Sequence, residues 1–282
     1  MEKRSLGSTG RELSVIGFGG IAVMNEEPEE AARLVTQAIS RGITYFDVAP
    51  SYGNAEERLG PALKPYRDQV FLAGKTSQRQ AGEAEAELHR TLERLQTNHL
   101  DVYQFHGVSS LEEAEKILAP GGALETFVAA RDQGLIRHIG FSAHSQEAAV
   151  RLLEAFPFDS MLLPLNTACW NVGGFGPAVV EKAVEKGTGI LALKSLAKRP
   201  VAEGEVKKWP KCWYVPVDTI PEAIECLAFT LGQPVTAALP PGHADLVWLA
   251  CDALEALADR APDADPTMPT DAAPIFNATG RA

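Results

Sequence analysis

The chain has 282 residues, of which 45% are apolar and 22% charged, and its formal net charge is −11. That balance suits a folded globular domain, excludes a disordered chain, and comes without an apolar run long enough to span a bilayer. An acidic chain with no Lys/Arg run also argues against nucleic-acid binding and membrane-surface docking, because both depend on clustered cations.

In chain order, KRSLGSTGREL at residues 3–13 reads as two short segments around a Gly-Ser-Thr-Gly turn, a hairpin placed to plug one end of the main fold. From Val15 onward, strand-like apolar runs alternate with segments whose apolar residues recur every three or four positions. The strands are expected at Val15–Phe18, Ile43–Phe46, Val70–Ala73, Val102–Phe105, Ile139–Phe141, Met161–Leu163, Gly189–Leu193 and Val235–Leu239. The helices are expected at Glu29–Arg41, Ala55–Leu63, Gly82–Leu95, Ala123–Gln133, Gln146–Ala155, Pro177–Lys186, Ile220–Leu231 and Ala244–Ala258.

Repeated strand-helix alternation implies parallel strands, and eight units are the number that closes a (β/α)8 TIM barrel, here a single α/β domain over residues 1–258. An open doubly wound sheet is the alternative. It would bring a glycine fingerprint after its first strand, and Gly17-Phe18-Gly19-Gly20 lacks the spacing. Two stretches break the alternation. Ala197 to Thr219 is a long connection after the seventh strand that holds Trp209, Trp213 and Tyr214, which suits an ordered loop over a pocket. Residues 259–282 form a Pro-rich tail with no expected core, in which Ile275 and Phe276 are the candidates for docking on the body.

The four cysteines, Cys169, Cys212, Cys226 and Cys251, are scattered, with neither a C-x-x-C pair nor histidines at metal spacing. Free thiols and no metal site are expected. The N-terminal stretch lacks the apolar core of a signal peptide, so a cytoplasmic location is expected.

The residues that end the strands carry the chemistry. Asp47 ends the second, Lys75 the third, His106 the fourth and Ser142 the fifth, while the seventh leads into Lys194-Ser195. In a parallel barrel all of these lie on the carboxyl-terminal rim, where such folds build their active sites. A carboxylate closing a buried strand needs a nearby cation, because an unpaired buried charge costs several kcal/mol. Lys75, one strand over, supplies it. With Tyr52 in the loop above, the group forms an acid-base device: the ammonium is expected to lower the phenol's pKa, Asp47 to hold the ammonium, and His106 to orient a substrate carbonyl. Since no side chain carries hydride, a nicotinamide cofactor is implied.

At these residues the chain resembles the aldo/keto reductase superfamily, over roughly Lys3 to Ala258, in FDVAPSYGNAEERLG, FLAGKT and DVYQFHGV. The resemblance implies a catalytic tetrad of Asp47, Tyr52, Lys75 and His106 that reduces carbonyls with NADPH. IGFSAHS looks like the family's fifth strand, whose serine, here Ser142, bonds the nicotinamide carboxamide. The candidate cofactor contacts are therefore Gly20, Asp47, Ser142, Asn166, Lys194, Ser195, Leu196 and Gly242, and Trp170, Trp213 and Tyr214 are the candidate substrate-pocket residues. Two features depart from the family. Leu162 stands where a glutamine usually meets the carboxamide, with Asn166 four residues on, and LPPGHADLVWLA after the eighth strand offers only His243 to a 2′-phosphate. NADP is thus a family expectation, NAD remains possible, and Lys194, Ser195, Lys198 and Arg199 are the candidates for the pyrophosphate.

Each residue also has a plainer reading. Asp47 and Lys75 could form a structural ion pair, Ser142 could cap the helix beginning near Ser145, and His144 reads as a core histidine. Trp170, Trp209, Trp213 and Tyr214 could merely seal the loop, and Lys207, Lys208 and Lys211 read as a solvated face. Three functions fit these residues: an oxidoreductase acting on a small aldehyde or ketone, a nicotinamide-binding sensor with little turnover, or a barrel lyase or isomerase without hydride transfer. No extra apolar helix face stands out, and a monomer is expected from the family's habit.

Overall fold

The computed structural model describes residues 1–258 and 265–281. Strands β1 (Lys3–Ser5) and β2 (Glu12–Ser14) pair antiparallel as the expected hairpin. Leu6 and Leu13 leave it fully buried and join Tyr45, Phe71, Val102 and Leu191 in one cluster, so the hairpin closes the barrel floor. Gly7 turns there at φ +50°, and a Cβ would strike the backbone of Gly189, so only glycine lets the hairpin approach so closely. Arg4 fastens it by donating to the carbonyl oxygens of Leu231 at 2.7 Å and Val235 at 3.3 Å.

The barrel strands are β3 (Phe18–Gly19), β4 (Tyr45–Asp47), β5 (Phe71–Thr76), β6 (Leu100–Val108), β7 (Ile136–Ala143), β8 (Ser160–Pro164) and β9 (Gly189–Leu193). After an antiparallel pair in the long loop, β10 (Ala197–Pro200) and β11 (Tyr214–Pro216), the last barrel strand is β12 (Ala237–Leu239). All neighbours among the eight barrel strands are parallel, in the order β3 to β9 and then β12. Closure comes just before β3: Ile16 bridges Ala238 in parallel, and the Gly17 N–H donates to the Ala238 carbonyl at 2.9 Å. The sequence suggested a strand from Val15 to Phe18; the chain instead forms this bridge and a two-residue strand. Gly17 is needed at the seam because a side chain would strike the Tyr45 ring.

Helices α1 (Pro28–Ser40), α2 (Ala55–Leu63), α3 (Ala81–Arg94), α4 (Leu111–Leu118), α5 (Ala123–Asp132), α6 (Gln146–Ala155), α7 (Thr167–Asn171), α8 (Pro177–Lys186), α9 (Ile220–Gly232) and α10 (Ala244–Leu257) complete the described elements around the barrel. Eight of them match the expected helices within a residue or so, whereas α4 and α7 were not anticipated. Both are cap-driven: Ser110 accepts from the Glu113 N–H at 3.2 Å, and Asn166 accepts from the Cys169 N–H at 2.9 Å. Among the described residues, no helix is long and apolar enough to cross a membrane.

Strand side chains alternate between the barrel interior and the helix layer. Tyr45, Phe71, Ala73 and Val102 fill the interior, while Phe46, Leu72, Tyr103 and Phe105 face the helices. Continuing the inward parity toward the rim places Asp47, Lys75 and Gln104 above that apolar plug. In the tail, Ile275 and Phe276, the candidates for docking, are buried, and β13 (Phe276–Asn277) and β14 (Gly280–Arg281) form a small antiparallel pair that was not anticipated. Residues 259–264, the first part of that tail, lie outside the described residues.

Candidate active site

Registry explains why the polar residues meet. Asp47 lies beside Ala73, and Lys75 lies beside Gln104, so the carboxylate and the ammonium come from adjacent strands and point to one centre. Lys75 forms a buried ion pair with Asp47. The other Asp47 oxygen accepts from the Tyr45 hydroxyl at 3.3 Å and from Gln104 Nε2 at 3.5 Å. Lys75 Nζ also donates to the Tyr52 hydroxyl at 3.4 Å and lies 5.1 Å from the centre of its ring. Tyr52 sits in the turn after β4, where its N–H donates to the Ala49 carbonyl. Its ring meets the His106 imidazole edge to face at 5.7 Å. His106 Nδ1 lies 3.3 Å from Ser51 Oγ, and Arg79 donates to the His106 carbonyl at 2.7 Å.

The electrostatics correct one expectation. Burial pushes the Tyr52 hydroxyl above the usual phenol value, and this outweighs the attraction of Lys75, with Asp47 adding to the rise. Lys75 therefore limits the rise without lowering the phenol below its ordinary value, and Tyr52 keeps its proton at neutral pH. Burial works against the Lys75 ammonium too, but Asp47 and Tyr52 together more than compensate and hold it above the usual lysine value. Burial, with Lys75, Lys194 and Arg79 nearby, pushes His106 down to about 3, so its ring is neutral. The result is a protonated phenol, a fixed ammonium and a neutral imidazole around one point. Such a trio can hold a carbonyl oxygen and hand it a proton.

These groups line an open cleft of about 220 Å³. Its walls include Gly19, Ile21, Ser142, His144, Leu162, Lys194, Lys211, Cys212, Trp213, Tyr214 and Gly242. Ser142 accepts from the Gly107 N–H at 2.7 Å, and Ser145, not Ser142, caps α6. Leu162 presents its apolar side chain at the wall where the family usually offers a glutamine.

Several sequence candidates lie off the cleft wall. Asn166 caps α7 and donates to the Lys194 carbonyl at 3.2 Å. Trp170 packs against Phe229 at 6.0 Å between ring centres. Gly20 packs tightly against Val48, where a Cβ would come within 2.8 Å, and Leu196 is fully buried. Ser195 is buried, and its hydroxyl has no hydrogen-bond partner. Lys198 and Arg199, expected near a pyrophosphate, are engaged by Glu222 and Glu205, each at 2.7 Å.

Other residues enter the site unannounced. Lys211, read as part of a solvated face, spans the cleft mouth to donate to the Ala22 carbonyl and to Glu26, both at 2.8 Å. His144, read as a core histidine, lines the cleft with Nε2 3.4 Å from Lys194 Nζ. Tyr45 and Gln104 brace Asp47, and their inward parity with Asp47 and Lys75 was the available signal. Among the described residues, no cluster of His, Cys, Asp and Glu could hold a metal ion.

The Aldo/keto reductase family model matches residues 15–198. The chain belongs to the aldo/keto reductase family. It is 34% identical over 185 residues to aldo-keto reductase YhdN of Bacillus subtilis, a match covering 59% of this chain and 54% of that protein. It is 25% identical over 227 residues to L-galactose dehydrogenase of Arabidopsis thaliana, covering 74% of this chain and 70% of that one. The chain spans about half the length of the two Bacillus subtilis relatives, YhdN and the uncharacterized oxidoreductase YqkF, at 54% and 49%. Among solved structures, a putative aldo-keto reductase from Pseudomonas aeruginosa superposes with a TM-score of 0.70 at 27% identity, covering 89% of this chain and 95% of that one. The Bacillus halodurans aldo-keto reductase AKR11C1 shares the fold at a TM-score of 0.69 and 22% identity, covering 96% and 94%.

Proposed function

We propose that this aldo/keto reductase converts a small aldehyde or ketone to the alcohol with a nicotinamide dinucleotide, and that Tyr52 is the proton donor. The observation that carries this reading is the Tyr52 hydroxyl 3.4 Å from Lys75 Nζ, at the wall of the cleft. The carbonyl oxygen sits among Tyr52, His106 and the Lys75 charge. As negative charge grows on that oxygen, the Tyr52 proton moves to it, and the fixed ammonium stabilises the phenolate left behind. Asp47 holds the ammonium in place, and the neutral His106 orients the carbonyl. The dinucleotide, when bound, supplies hydride to the carbonyl carbon.

The residues fit such a cofactor at the reacting end. Ser142, lining the cleft, suits the carboxamide, and Gly19 leaves the rim open for an extended ligand, whereas Gly242 makes room for the Ile21 side chain. NADP is favoured by family habit alone, with NAD as the other possibility, since the segment after the eighth barrel strand offers a 2′-phosphate only His243, whose Nε2 already accepts from the Lys211 N–H at 3.0 Å. The similarity to L-galactose dehydrogenase supports chemistry between an alcohol and a carbonyl.

A second reading, a nicotinamide sensor with little turnover, draws support from Leu162 at the cleft wall, where it offers the carboxamide no hydrogen bond. Fluorescence titration with NADPH and NADH, together with assays on a panel of small aldehydes and ketones, separates the two. Reduction that is lost in Tyr52→Phe supports the reductase, whereas tight binding without turnover supports the sensor.

A further inference from the structure

The turn that presents Tyr52 presents a second hydroxyl. Ser51, exposed at the rim, places Oγ 3.3 Å from His106 Nδ1. The turn is pinned, because the Tyr52 N–H donates to the Ala49 carbonyl and the Ala55 N–H donates to the Tyr52 carbonyl, each at 3.0 Å. Adjacent residues thus meet two different groups of the site: Tyr52 meets Lys75, and Ser51 meets His106. Among the described residues, Ser51 Oγ has no second partner and His106 Nε2 has none.

The backbone beneath His106 is held independently of its ring. From Phe105 to Val108, β6 takes three steps while β7 takes two, from Phe141 to Ala143, so His106 and Gly107 form a bulge. Gly107 fits it at φ 60°, its N–H donates to Ser142 Oγ at 2.7 Å, and Arg79 donates to the His106 carbonyl at 2.7 Å. These bonds set where the imidazole starts, yet they leave open which nitrogen carries the proton. That choice matters because the ring is neutral, its pKa pushed down to about 3, so one nitrogen donates and the other accepts. A main-chain carbonyl or a carboxylate at Nδ1, the usual partner, would hold the proton on Nδ1 and leave Nε2 an acceptor. A hydroxyl can instead donate to Nδ1, which leaves the proton on Nε2.

We propose that Ser51 is a positioning residue whose hydroxyl donates to His106 Nδ1 and so holds the imidazole in the Nε2–H tautomer, with Nε2 as the hydrogen-bond donor to a bound carbonyl oxygen. The tautomer is a property of the protein without ligand, and the reductase reading, on which the word carbonyl rests, enters only where that donor meets a substrate. A carbonyl oxygen accepts hydrogen bonds and is repelled by a lone pair. A ring with its proton on Nδ1 would therefore oppose the same oxygen that Tyr52 is to protonate.

The test is long-range proton–nitrogen correlation NMR of the full chain, isotope-labelled at its histidine nitrogens, at mildly alkaline pH and without dinucleotide. The His106 signals are assigned by their loss in His106→Gln. In the wild type and in Ser51→Thr, Nε2 is expected to carry the proton, and Nδ1 to show the downfield shift of an unprotonated ring nitrogen. Ser51→Ala should move the tautomer ratio about twofold to tenfold toward Nδ1–H, the worth of one hydrogen bond. Ser51→Asp, whose carboxylate can only accept, should place the proton on Nδ1. A wild-type ring protonated on Nδ1, or a ratio unchanged in Ser51→Ala, would overturn the assignment. With NADPH or NADH and a carbonyl that the wild type reduces, kcat should fall about twofold to tenfold in Ser51→Ala and recover in Ser51→Thr, while the dinucleotide Kd stays the same. A tautomer ratio that moves with no change in kcat would overturn the positioning role. An Nε2–H ring that depends on Ser51, in a chain that reduces no carbonyl, keeps the tautomer assignment and loses the reductase reading. Carbonyl reduction by a chain whose His106 is protonated on Nδ1 does the reverse.

Discussion

Lys75 Nζ stands 3.4 Å from the Tyr52 hydroxyl while it is ion-paired, on its other side, with the buried carboxylate of Asp47. One ammonium thus serves two partners. Burial raises the phenol's pKa, and the tethered cation balances the negative charge that a departing proton leaves on the oxygen. The arrangement comes from strand parity: Asp47 and Lys75 are inward residues of neighbouring parallel strands.

Asp47→Asn removes the counter-ion of a fully buried lysine. Breaking one side of a buried pair costs about 3–5 kcal/mol, because the remaining charge is uncompensated. Urea unfolding of Asp47→Asn should show a loss of that size, and Asp47→Asn with Lys75→Met should recover part of it. A loss below about 1 kcal/mol would mean that the pair is more hydrated than its burial implies.

The histidines set the response to acid. Burial holds His106 at about 3 and His144 at about 2, both far below the ordinary 6.5. A base with a depressed folded-state pKa is most compatible with folding above its unfolded pKa, so stability should fall as pH drops below 6.5 and keep falling toward 3. Thermal unfolding between pH 8 and pH 4 should show this slope, reduced in His144→Asn. For the same reason, the rate profile should lack a titration near pH 6.5. A step there that disappears in His106→Gln would contradict the neutral imidazole.

Leu162→Gln should restore a hydrogen bond to a nicotinamide carboxamide. One such bond is worth about 0.5–1.5 kcal/mol, so the Kd for the dinucleotide should fall about twofold to tenfold in a fluorescence titration. Unchanged or weaker binding would mean that the carboxamide does not approach β8.

Lys211 ties the long loop to the far side of the cleft through Glu26 and the Ala22 carbonyl. Lys211→Met should raise amide hydrogen exchange in residues 209–214 by about fivefold to tenfold, consistent with the loss of roughly 1 kcal/mol from a half-buried pair. No acceleration would assign the loop's order to Trp209, which donates to Asp218 at 3.1 Å, and to the β10–β11 pair.

Periodicity made the barrel legible. α2, α6 and α8 begin and end where the apolar spacing and the flanking Asn, Ser, Gly and Pro residues indicate. α4 escaped because its eight residues bury only Ala114 and Ile117, although the Ser110-x-x-Glu113 pattern was a visible start signal. At the site, Asp47, Lys75 and His106 were readable as strand ends. The net direction of the Tyr52 shift was not, because burial is a property of the assembled cleft. Lys211 was equally hidden, since its partner Glu26 lies 185 residues away. Trp170 looked like a pocket aromatic and instead packs on Phe229, a contact that no local pattern announces.

The proton-donor role of Tyr52 is tested most directly by the turnover of Tyr52→Phe with NADPH or NADH and a carbonyl that the wild type reduces. The variant keeps the ring packing on His106 and should bind the dinucleotide with nearly unchanged affinity, while kcat falls by about 100-fold to 10,000-fold, the range for loss of a general acid. A Tyr52→Phe enzyme that reduces the carbonyl at the wild-type rate would contradict the account.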